Sequence, residues 1–547
     1  MLRPYTAIFL FFFVGAKLAS PLLIKKQHQL NNYENFDFII VGAGSAGCVL
    51  AATLAEQGRR ILILERGCPP EDYPDTIQAD TWGKVFPTTA LQIIPSAPQT
   101  HIDNRYVLLA TGNVVGGGSS INSMVYARGP KPYYDWHEKG VWSSDRFWSI
   151  FDTLEKKLHP SLLAPNDLAD CFIRAAAETG VADNLHATKD TYDGASYHLT
   201  STWQGNRQSA YRVFLQPQLQ QNNIVLLTQA HVQQILFDSQ KNAYGVVFSH
   251  KQQRLHATIH ATGEIILCAG ALATPHLLML SGIGPQEELN SFHIPIVHES
   301  PQVGQHLLDQ PDCPIVYLSK KKLDKTASAI ATCLYVKSSA EKKEADIQIL
   351  LLPGYYNLEM LLIGLRGLPN VLIRTRFARC LTRTLLRLLN LLPPVKQLLR
   401  QSYTLLPCLM KPRSRGSLHL ASARPEEDPV IDVNYLADPN DQQDLLQALQ
   451  ITRRLGEASA FKAWRRFEWM PRQAPLTPYL FKNIGTTYHY AGTCRLDDVV
   501  DEHLSVKGVG RLRVADASII PQLPIVTPNA LCMAIGYNAA KIILDSN

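Results

Sequence analysis

A glycine-rich hexapeptide is the residue pattern with the clearest chemical use in this sequence. Gly42, Gly44 and Gly47 follow the apolar run 36–41 in the order G-x-G-x-x-G. In such a turn the first glycine permits a tight bend, the second lets the backbone approach a pyrophosphate, and the third lets helix and strand pack closely. Glu65 stands about 20 residues further on, where a carboxylate can accept hydrogen bonds from ribose hydroxyls. The pattern therefore predicts a dinucleotide site.

The elements around this turn support that prediction. Residues 36–41 and 60–64 predict two short buried strands, and residues 48–57 predict a helix between them. The free N–H groups at the start of that helix and the positive end of its dipole would face the phosphates, beside Ser45 and Ala46. The competing interpretation is a glycine turn in an unrelated α/β protein. Strand, helix, strand and acid in their expected order favour the dinucleotide site.

Two more glycine-rich stretches lie far along the chain, at residues 112–122 and 270–284. The first contains three consecutive glycines, residues 116–118, which remove all side-chain bulk and let the backbone lie against a flat ring system. Ser119 and Asn122 supply short hydrogen-bonding groups beside them. Together the three stretches predict a bound cofactor with both phosphates and a ring.

With these signatures the chain resembles the glucose-methanol-choline (GMC) flavoprotein oxidoreductases. Residues 112–135 match the first signature of that family, residues 270–284 match the second, and the resemblance covers roughly residues 36–545. It implies bound FAD, an α/β fold with a doubly wound, Rossmann-like FAD-binding domain, and a second domain of antiparallel sheet plus helices. Further family-like stretches are residues 205–210, 303–309, 411–416 and 512–518.

The resemblance also implies a discontinuous cofactor domain. We expect residues 36–155, 225–310 and 490–547 to form the FAD-binding domain. Residues 156–224 and 311–489 would form the substrate-binding domain. The active site is expected where these two domains meet.

The cofactor-binding residues that the resemblance implies are spread over the whole chain. They are Gly42, Gly44, Ser45, Ala46, Gly47, Glu65, Gly112, Val115, Gly117, Gly118, Ser119, Asn122, Val232, Asp516 and Asn529. For Val232 an ordinary strand residue is an almost equal alternative. Some family members carry a histidine that is joined covalently to the flavin at the position before Asn122. Ile121 occupies this position and cannot form that bond, so FAD is predicted to be non-covalent.

Residues 486–495 resemble the segment with the family's catalytic histidine, which is His489 in this chain. A base with an unperturbed pKa of about 6.5 can take an alcohol proton near neutral pH while hydride passes to flavin N5. Family members usually pair this histidine with a second His or Asn, and Thr527 stands at that position. A threonine can donate a hydrogen bond but cannot act as an imidazole acid or base. Three alternatives follow. Thr527 performs part of the role of the second His or Asn, Asn529 takes over that role, or the chemistry of this protein has diverged from alcohol oxidation.

The predicted function is that of an FAD-dependent oxidoreductase acting on the CH–OH group of a small-molecule alcohol, apolar or amphiphilic in character. The sequence does not distinguish oxygen, a quinone and a dye-like carrier as its electron acceptor. One alternative is non-oxidative chemistry, as in a lyase or a fatty-acid decarboxylase. Another is a non-catalytic flavin-binding protein.

Composition sets broader limits. The chain has 547 residues, of which 46% are hydrophobic and 18% charged, as is typical of a globular protein. Its ten cysteines include no C-x-x-C pair, and no H-E-x-x-H motif or other metal-ligand cluster occurs, so no metal is expected.

A basic, leucine-rich segment at residues 365–400 contrasts with a net charge of only +6. At helical spacing Arg379 and Arg383 fall on one face, and Leu381 and Leu385 on the other. That pattern is typical of an interfacial helix and predicts contact with an anionic membrane surface. The alternative is a solvated basic face packed on the core through its leucines. Nucleic acid is not expected, because aromatic residues are not interleaved with this patch.

The first twenty residues resemble a secretory signal peptide or an N-terminal anchor. Arg3 precedes an apolar run, and small residues suited to cleavage lie near Ala16. Residues 1–20 therefore predict an exported or membrane-associated protein. The alternative is an apolar extension on a cytoplasmic enzyme.

Overall fold

The computed structural model describes residues 33–85, 88–137, 139–180, 192–323, 330–353, 401–472 and 474–546. Both the predicted signal peptide or anchor at residues 1–20 and the basic segment at residues 365–400 lie outside the described residues. No helix within the described ranges combines the length and the apolar character needed to cross a bilayer.

The strands of the described ranges vary from two to fifteen residues. They are β1 (Tyr33–Val41), β2 (Ile61–Leu64), β3 (Leu91–Pro95), β4 (Leu108–Gly112), β5 (Ser161–Leu162), β6 (Gly194–Tyr197), β7 (Leu199–Thr200), β8 (Thr202–Trp203), β9 (Asn206–Arg207), β10 (Ile224–Leu227), β11 (Ala230–Phe237), β12 (Ala243–His250), β13 (Gln253–Leu267), β14 (Ile283–Gly284), β15 (His298–Glu299), β16 (Pro311–Asp312), β17 (Ile315–Ser319), β18 (Thr332–Val336), β19 (Ile347–Pro353), β20 (Ser402–Leu409), β21 (Ser417–His419), β22 (Val430–Asp432), β23 (Arg465–Met470), β24 (Gly485–Thr486) and β25 (Leu512–Val514).

The α-helices of the same ranges vary from three to nineteen residues. They are α1 (Ser45–Ala55), α2 (Gly118–Ile121), α3 (Ser144–Leu158), α4 (Asp167–Glu178), α5 (Gln216–Gln218), α6 (Ala273–Leu280), α7 (Gln286–Ser291), α8 (Pro439–Glu457), α9 (Leu476–Asn483) and α10 (Asn529–Ser546).

The first large sheet surrounds the predicted dinucleotide turn. Strands β10, β2, β1, β13 and β25 pair in that order, all parallel. Every residue of β2 is buried, as the continuous apolar sequence of a covered parallel strand requires. Strand β13 is long enough to pair antiparallel with β12 over its first half, and β12 pairs with β11. The predicted strand–helix–strand order is present, although the helix begins at Ser45, three residues earlier than expected.

Two helices meet at the end of this sheet. All residues of α1 after Ser45 are buried, because the sheet and the C-terminal helix α10 cover it. The two helices lie in very close contact: a Cβ atom added to Gly536 of α10 would stand 2.2 Å from the carbonyl oxygen of Ala46. Glycine is therefore required at that crossing, and the N-termini of both helices lie close together.

The second large sheet is antiparallel. Its strands follow the order β23, β17, β20, β19, β18 and β6, and the short β16 joins β20 to β24. All residues of β19 and β20 are buried. The β16–β24 pairing places Pro311 opposite Thr486 and Asp312 opposite Gly485, which brings the chain before β16 against the segment after β24. The predicted α/β class with an antiparallel second sheet is confirmed; the division into two domains at the stated boundaries stays a prediction.

Candidate active site

The three glycine-rich stretches converge at one point of the structure. A Cβ atom on Gly117 would stand 2.8 Å from the Cα atom of Gly44, and one on Gly42 would stand 2.4 Å from the carbonyl oxygen of Cys268, just before the third stretch. Gly42 and Gly117 also have positive φ angles of +101° and +51°. No larger residue fits these contacts, so the glycines allow three distant loops to pack backbone against backbone.

A cavity of about 620 Å³ opens from this convergence toward the second sheet. Its volume lies in the range of small-molecule and cofactor sites. Most of the predicted site residues line it: Gly42, Gly44, Ser45, Ala46, Glu65, Gly112, Gly117, Gly118, Asn122, Val232, Asp516 and Asn529, together with His489 and Thr527. The structure therefore brings the predicted cofactor and catalytic residues to one space.

Three predicted cofactor residues do not line the cavity, and direct contact with a cofactor is not supported for them. A Cβ atom on Gly47 would stand 2.1 Å from the carbonyl oxygen of Gly42, so this glycine serves helix packing. Val115 is fully buried within the core. The Ser119 hydroxyl donates to the carbonyl oxygen of Gly116 at 2.6 Å and accepts from the Ala210 N–H at 3.0 Å. These three residues support the cavity-lining loops from the side that faces the protein core.

The loop end of the cavity is built for an anion and a sugar. Helix α1 begins after Gly44 without a side-chain cap, so the N–H groups of its first turn lack intrahelical partners. The Ser45 hydroxyl donates to Asn529 Oδ1 at 2.9 Å, which ties this helix start to that of α10. Glu65 accepts from the N–H groups of Ala43 at 2.8 Å and Gly67 at 2.7 Å. Two positive helix ends and one held carboxylate therefore border the same space.

Asp516 fixes the third glycine-rich stretch. Its carboxylate accepts from the Gly270 N–H at 2.9 Å, the Thr274 hydroxyl at 2.6 Å and the Ser518 N–H at 2.8 Å. Burial raises the pKa of this carboxyl, while the bonds from Ser518 and Thr274 act in the opposite direction. Three donors around one carboxylate keep the C-terminal segment against the cavity wall.

His489 is held through its backbone and one ring nitrogen. Its N–H donates to Asp309 Oδ1 at 2.9 Å. Its Nδ1 lies 2.6 Å from Gln310 Oε1 and 3.0 Å from the Thr487 hydroxyl. Burial lowers the pKa of the imidazole to about 3, which leaves the ring neutral at neutral pH. A neutral imidazole carries one proton, and its location decides which nitrogen can act as a base.

The partners of Gln310 settle the tautomer of His489. The Gln310 NH₂ group donates to the carbonyl oxygens of Met410 and Pro524, each at 2.9 Å, so Oε1 is the atom that faces His489. The Thr487 hydroxyl donates to the Gln310 carbonyl oxygen at 2.7 Å and so presents a lone pair to the ring. Because both neighbours accept, Nδ1 carries the proton. The lone pair of His489 is consequently on Nε2.

Sequence reasoning missed Gln310 and Thr487, and gave no role to Asp309. Asp309 closes the family-like stretch 303–309, but its function depends on the β16–β24 pairing that no local pattern reveals. In the structure it accepts from the Thr486 hydroxyl at 2.5 Å and from the Tyr435 hydroxyl. Burial raises the pKa of Asp309 to about 6.

Asp312, at the end of the cavity bordered by the second sheet, is another residue that sequence reasoning missed. It is 1% exposed, and among the described residues its Oδ2 atom has no hydrogen-bond partner. Burial and the neighbouring Asp309 raise its pKa to about 7. The same part of the cavity is lined by Leu350, Leu352 and Leu406. This end of the cavity is thus largely apolar, with one buried carboxyl group in its wall.

Comparison with known proteins agrees with this geometry. Family models described as GMC oxidoreductase match residues 36–312 and 412–536. The chain belongs to the GMC oxidoreductase family. It is 31% identical to an alcohol dehydrogenase [acceptor] of Pseudomonas putida, over 93% of this chain and 96% of that one, and 28% identical to a choline oxidase of Arthrobacter globiformis, over 94% and 96%. A formate oxidase of Aspergillus oryzae, from a study of FAD modification, shares the fold with a TM-score of 0.79, at 22% identity over 94% of this chain and 99% of that one.

The predicted membership and the predicted enzyme class are therefore confirmed. GMC oxidoreductases are FAD-binding flavoproteins, and the cavity fits that cofactor. Gly118 has no atom within 4 Å of an added Cβ, so its loop presents bare backbone to the open space. The helix ends would supply donors to the phosphates of FAD, and Glu65 would supply an acceptor for its ribose hydroxyls. Non-covalent attachment stays a prediction. Within the described part of the chain no cluster of three or more His, Cys, Asp or Glu side chains could hold a metal ion.

Thr527, the residue predicted to pair with His489, is only weakly engaged in the structure. The Thr527 hydroxyl donates to the carbonyl oxygen of Val125 at 3.4 Å, which is long for a hydroxyl donor. Asn529 is engaged by Ser45 at the start of α10. Of the three alternatives, a shift of Asn529 into the catalytic position is the one that the geometry disfavours.

Proposed function

We propose that this GMC oxidoreductase oxidises an alcohol by FAD-dependent chemistry, with His489 as the base. The single observation that carries the proposal is the contact of His489 Nδ1 with Gln310 Oε1 at 2.6 Å. Because the Gln310 NH₂ group is engaged elsewhere, this contact assigns the proton to Nδ1 and leaves the Nε2 lone pair for a substrate hydroxyl. The ring lines the cavity between the glycine loops and the second sheet. When bound, FAD supplies the two-electron acceptor.

In this reaction His489 and Thr527 would act on the substrate hydroxyl in different ways. His489 Nε2 takes the hydroxyl proton, and the imidazolium formed keeps its Nδ1–H bond to Gln310. Burial keeps the resting ring neutral over the whole neutral range, so its Nε2 lone pair is not already protonated. The Thr527 hydroxyl can rotate from its long bond with Val125 to donate to the alcohol oxygen. The apolar wall excludes water from the reacting group.

The substrate that we propose is apolar or amphiphilic. Leu350, Leu352 and Leu406 favour an apolar chain beyond the reacting carbon. Asp312 adds one requirement, because an unpartnered buried carboxyl favours a substrate with a second hydrogen-bond donor or a positive charge. An amphiphilic alcohol with a polar group at a distance from its hydroxyl satisfies both. The relatives are named for an alcohol in general and for choline.

Contact with an anionic membrane and export of the protein remain part of this proposal on sequence grounds alone. Both depend on residues 1–20 and 365–400, which lie outside the described residues. Binding of the purified protein to anionic vesicles, compared with zwitterionic vesicles of the same size, tests the first. A chain without residues 365–400 that binds equally well would contradict it.

Non-oxidative chemistry is the second candidate, because Thr527 replaces the usual His or Asn and its hydroxyl is held only at 3.4 Å. The deciding experiment is an anaerobic absorbance titration of the FAD-loaded protein with short-chain, choline-like, aromatic, long-chain and sterol alcohols. Bleaching of the oxidised flavin by one class, abolished in His489→Ala, supports alcohol oxidation. Re-oxidation by oxygen or by a dye then identifies the acceptor.

The absence of bleaching by every alcohol, with FAD bound, would contradict the proposal. Light-dependent release of CO₂ from a fatty acid, or cleavage of a cyanohydrin, would then support the second candidate. A protein that binds FAD and shows none of these reactions would be a non-catalytic flavin-binding protein.

A further inference from the structure

Arg207 on β9 is a buried cation for which the proposed chemistry has no use. Its side chain is 1% exposed. Burial lowers the pKa of its guanidinium to about 9, and it remains cationic at neutral pH. No carboxylate among the described residues forms an ion pair with it, and its Nε and Nη2 atoms have no hydrogen-bond partner there. A buried charge without a counter-ion costs several kcal/mol, so its presence requires an explanation.

The bonds that Arg207 does make lead to the cavity. Its Nη1 atom donates to the carbonyl oxygen of Ser119 at 3.2 Å and to Asn122 Oδ1 at 2.7 Å. Both acceptors belong to the second glycine-rich stretch, and Asn122 lines the cavity. The Met124 N–H also donates to Asn122 Oδ1, at 3.1 Å. With two donors on its oxygen, the Asn122 amide has its NH₂ group left for a ligand.

We propose that Arg207 is a positioning residue for the flavin ring. It orients the Asn122 amide so that the NH₂ group faces the ligand. It also places an uncompensated positive charge directly behind the loop on which the ring would lie, and that charge favours the negative charge that the ring takes up on reduction. A buried charge acts over several ångströms because little water screens it. The inference rests on the FAD-binding part of the proposed function and is independent of the substrate.

A purely structural role is the competing explanation, since Arg207 also fastens β9 to the second glycine-rich stretch. The two roles differ in what they do to the flavin potential. A structural pin affects folding and affinity for FAD in either redox state. A positioning charge changes the ratio of the affinities for reduced and oxidised FAD, and hence the midpoint potential.

The test is an anaerobic reductive titration of the full-length, FAD-loaded protein with reference dyes and no alcohol. Arg207→Gln removes the charge and retains an amide donor, whereas Arg207→Lys retains the charge and loses the planar fork. We expect the Gln variant to bind reduced FAD, relative to oxidised FAD, about tenfold less well than the parent, which equals a potential about 30 mV lower. The Lys variant should stay within about twofold of the parent ratio, equivalent to about 9 mV.

Two variants of Asn122 test the inference even if Arg207→Gln fails to fold. Asn122→Asp places a carboxylate beside Arg207 and should lower the potential with Arg207 unchanged, whereas Asn122→Ser should lower it less. Equal potentials in the Gln and Lys variants would overturn the inference, as would equal potentials in the two Asn122 variants. A parent protein that binds no FAD would instead refute the proposed function, so the two failures are distinguishable.

Discussion

The two ends of the cavity are built from different parts of the polypeptide. At the loop end the groups that face a ligand belong to the backbone: bare glycines, two helix starts and the amides that Glu65 orders. At the end bordered by the second sheet they belong to side chains, with His489 held by Gln310 and Asp312 without a partner. Where backbone packs on backbone, as at Gly42 and Gly117, there is no room for an added side chain, whereas a network of side chains can be altered one group at a time. The loop end should therefore fail abruptly on substitution and the other end gradually.

The largest effect is expected at Gly42, where the backbone surface is most crowded. In Gly42→Ala the new Cβ would stand 2.4 Å from the Cys268 carbonyl oxygen, and φ is +101°. Because backbone cannot yield as a side chain can, we expect a loss of about 3–5 kcal/mol in the free energy of unfolding and of nearly all bound FAD. Chemical unfolding of the apoprotein and the ratio of flavin to protein measure both.

Gly58→Ala is the matched control. Gly58 also has a positive φ, +75°, but an added Cβ meets no atom within 4 Å. Strain alone should cost about 1 kcal/mol there and leave FAD content unchanged. Similar losses at the two positions would show that backbone strain, and not the contact between loops, limits the site.

The tautomer of His489 gives the next largest effect. Gln310→Leu removes the Oε1 acceptor at 2.6 Å and allows the proton to move to Nε2, so flavin reduction by alcohol should slow on the order of 100-fold. In Gln310→Glu a carboxylate beside Nδ1 favours the imidazolium and raises the pKa of His489 above its present value of about 3. Because His489 must be neutral to act as a base, flavin reduction in Gln310→Glu should begin to slow at a higher pH than in the parent as the solution is acidified.

Stopped-flow reduction between pH 4.5 and 8 measures this shift. The parent should show no acid limb from His489 over that range, since its pKa lies below it. An acid limb near pH 6.5 in the parent would show that His489 is not the buried neutral base described here. An unchanged profile in Gln310→Glu would exclude Gln310 as the group that sets the tautomer.

The buried carboxyls give a smaller effect, visible in stability. The folded pKa of Asp312 is about 7, above the unfolded value of about 4. The folded state therefore holds this proton where the unfolded state loses it, and stability falls as pH rises from about 4 to 7. Thermal unfolding of the apoprotein should show a lower midpoint at pH 7.5 than at pH 5. Asp312→Asn should reduce that difference, whereas a substitution at the exposed Asp145 should not.

Thr527 should give the smallest effect. Within the described part of the chain its hydroxyl is engaged by a hydrogen bond 3.4 Å long, so Thr527→Val, which keeps the shape and removes the hydroxyl, should slow flavin reduction less than tenfold. Thr527→Asn should equal or exceed the parent rate. A loss of 100-fold or more in the Val variant would make Thr527 a full partner of His489 and would remove the main argument for divergent chemistry.

The contrast between the two ends also explains what sequence alone could predict. Glycines that permit backbone contact occur at fixed spacings, so the turn at Gly42–Gly47, the parallel sheet and most of the cofactor wall could be predicted. The same patterns could not separate residues that face the cavity from those behind it, and Val115 and Ser119 are buried supports. Gln310 has no local signal, because its role arises only when β16 pairs with β24, more than 170 residues later in the chain.

The contact between Gly536 and Ala46 has a consequence for how the enzyme matures. Helix α1 is covered by α10, and the Ser45 hydroxyl donates to Asn529 Oδ1, 484 residues later in the chain. The loop end of the cavity is therefore complete only when α10 is packed against α1. We expect a protein truncated before Asn529 to bind no FAD and to show no flavin absorbance.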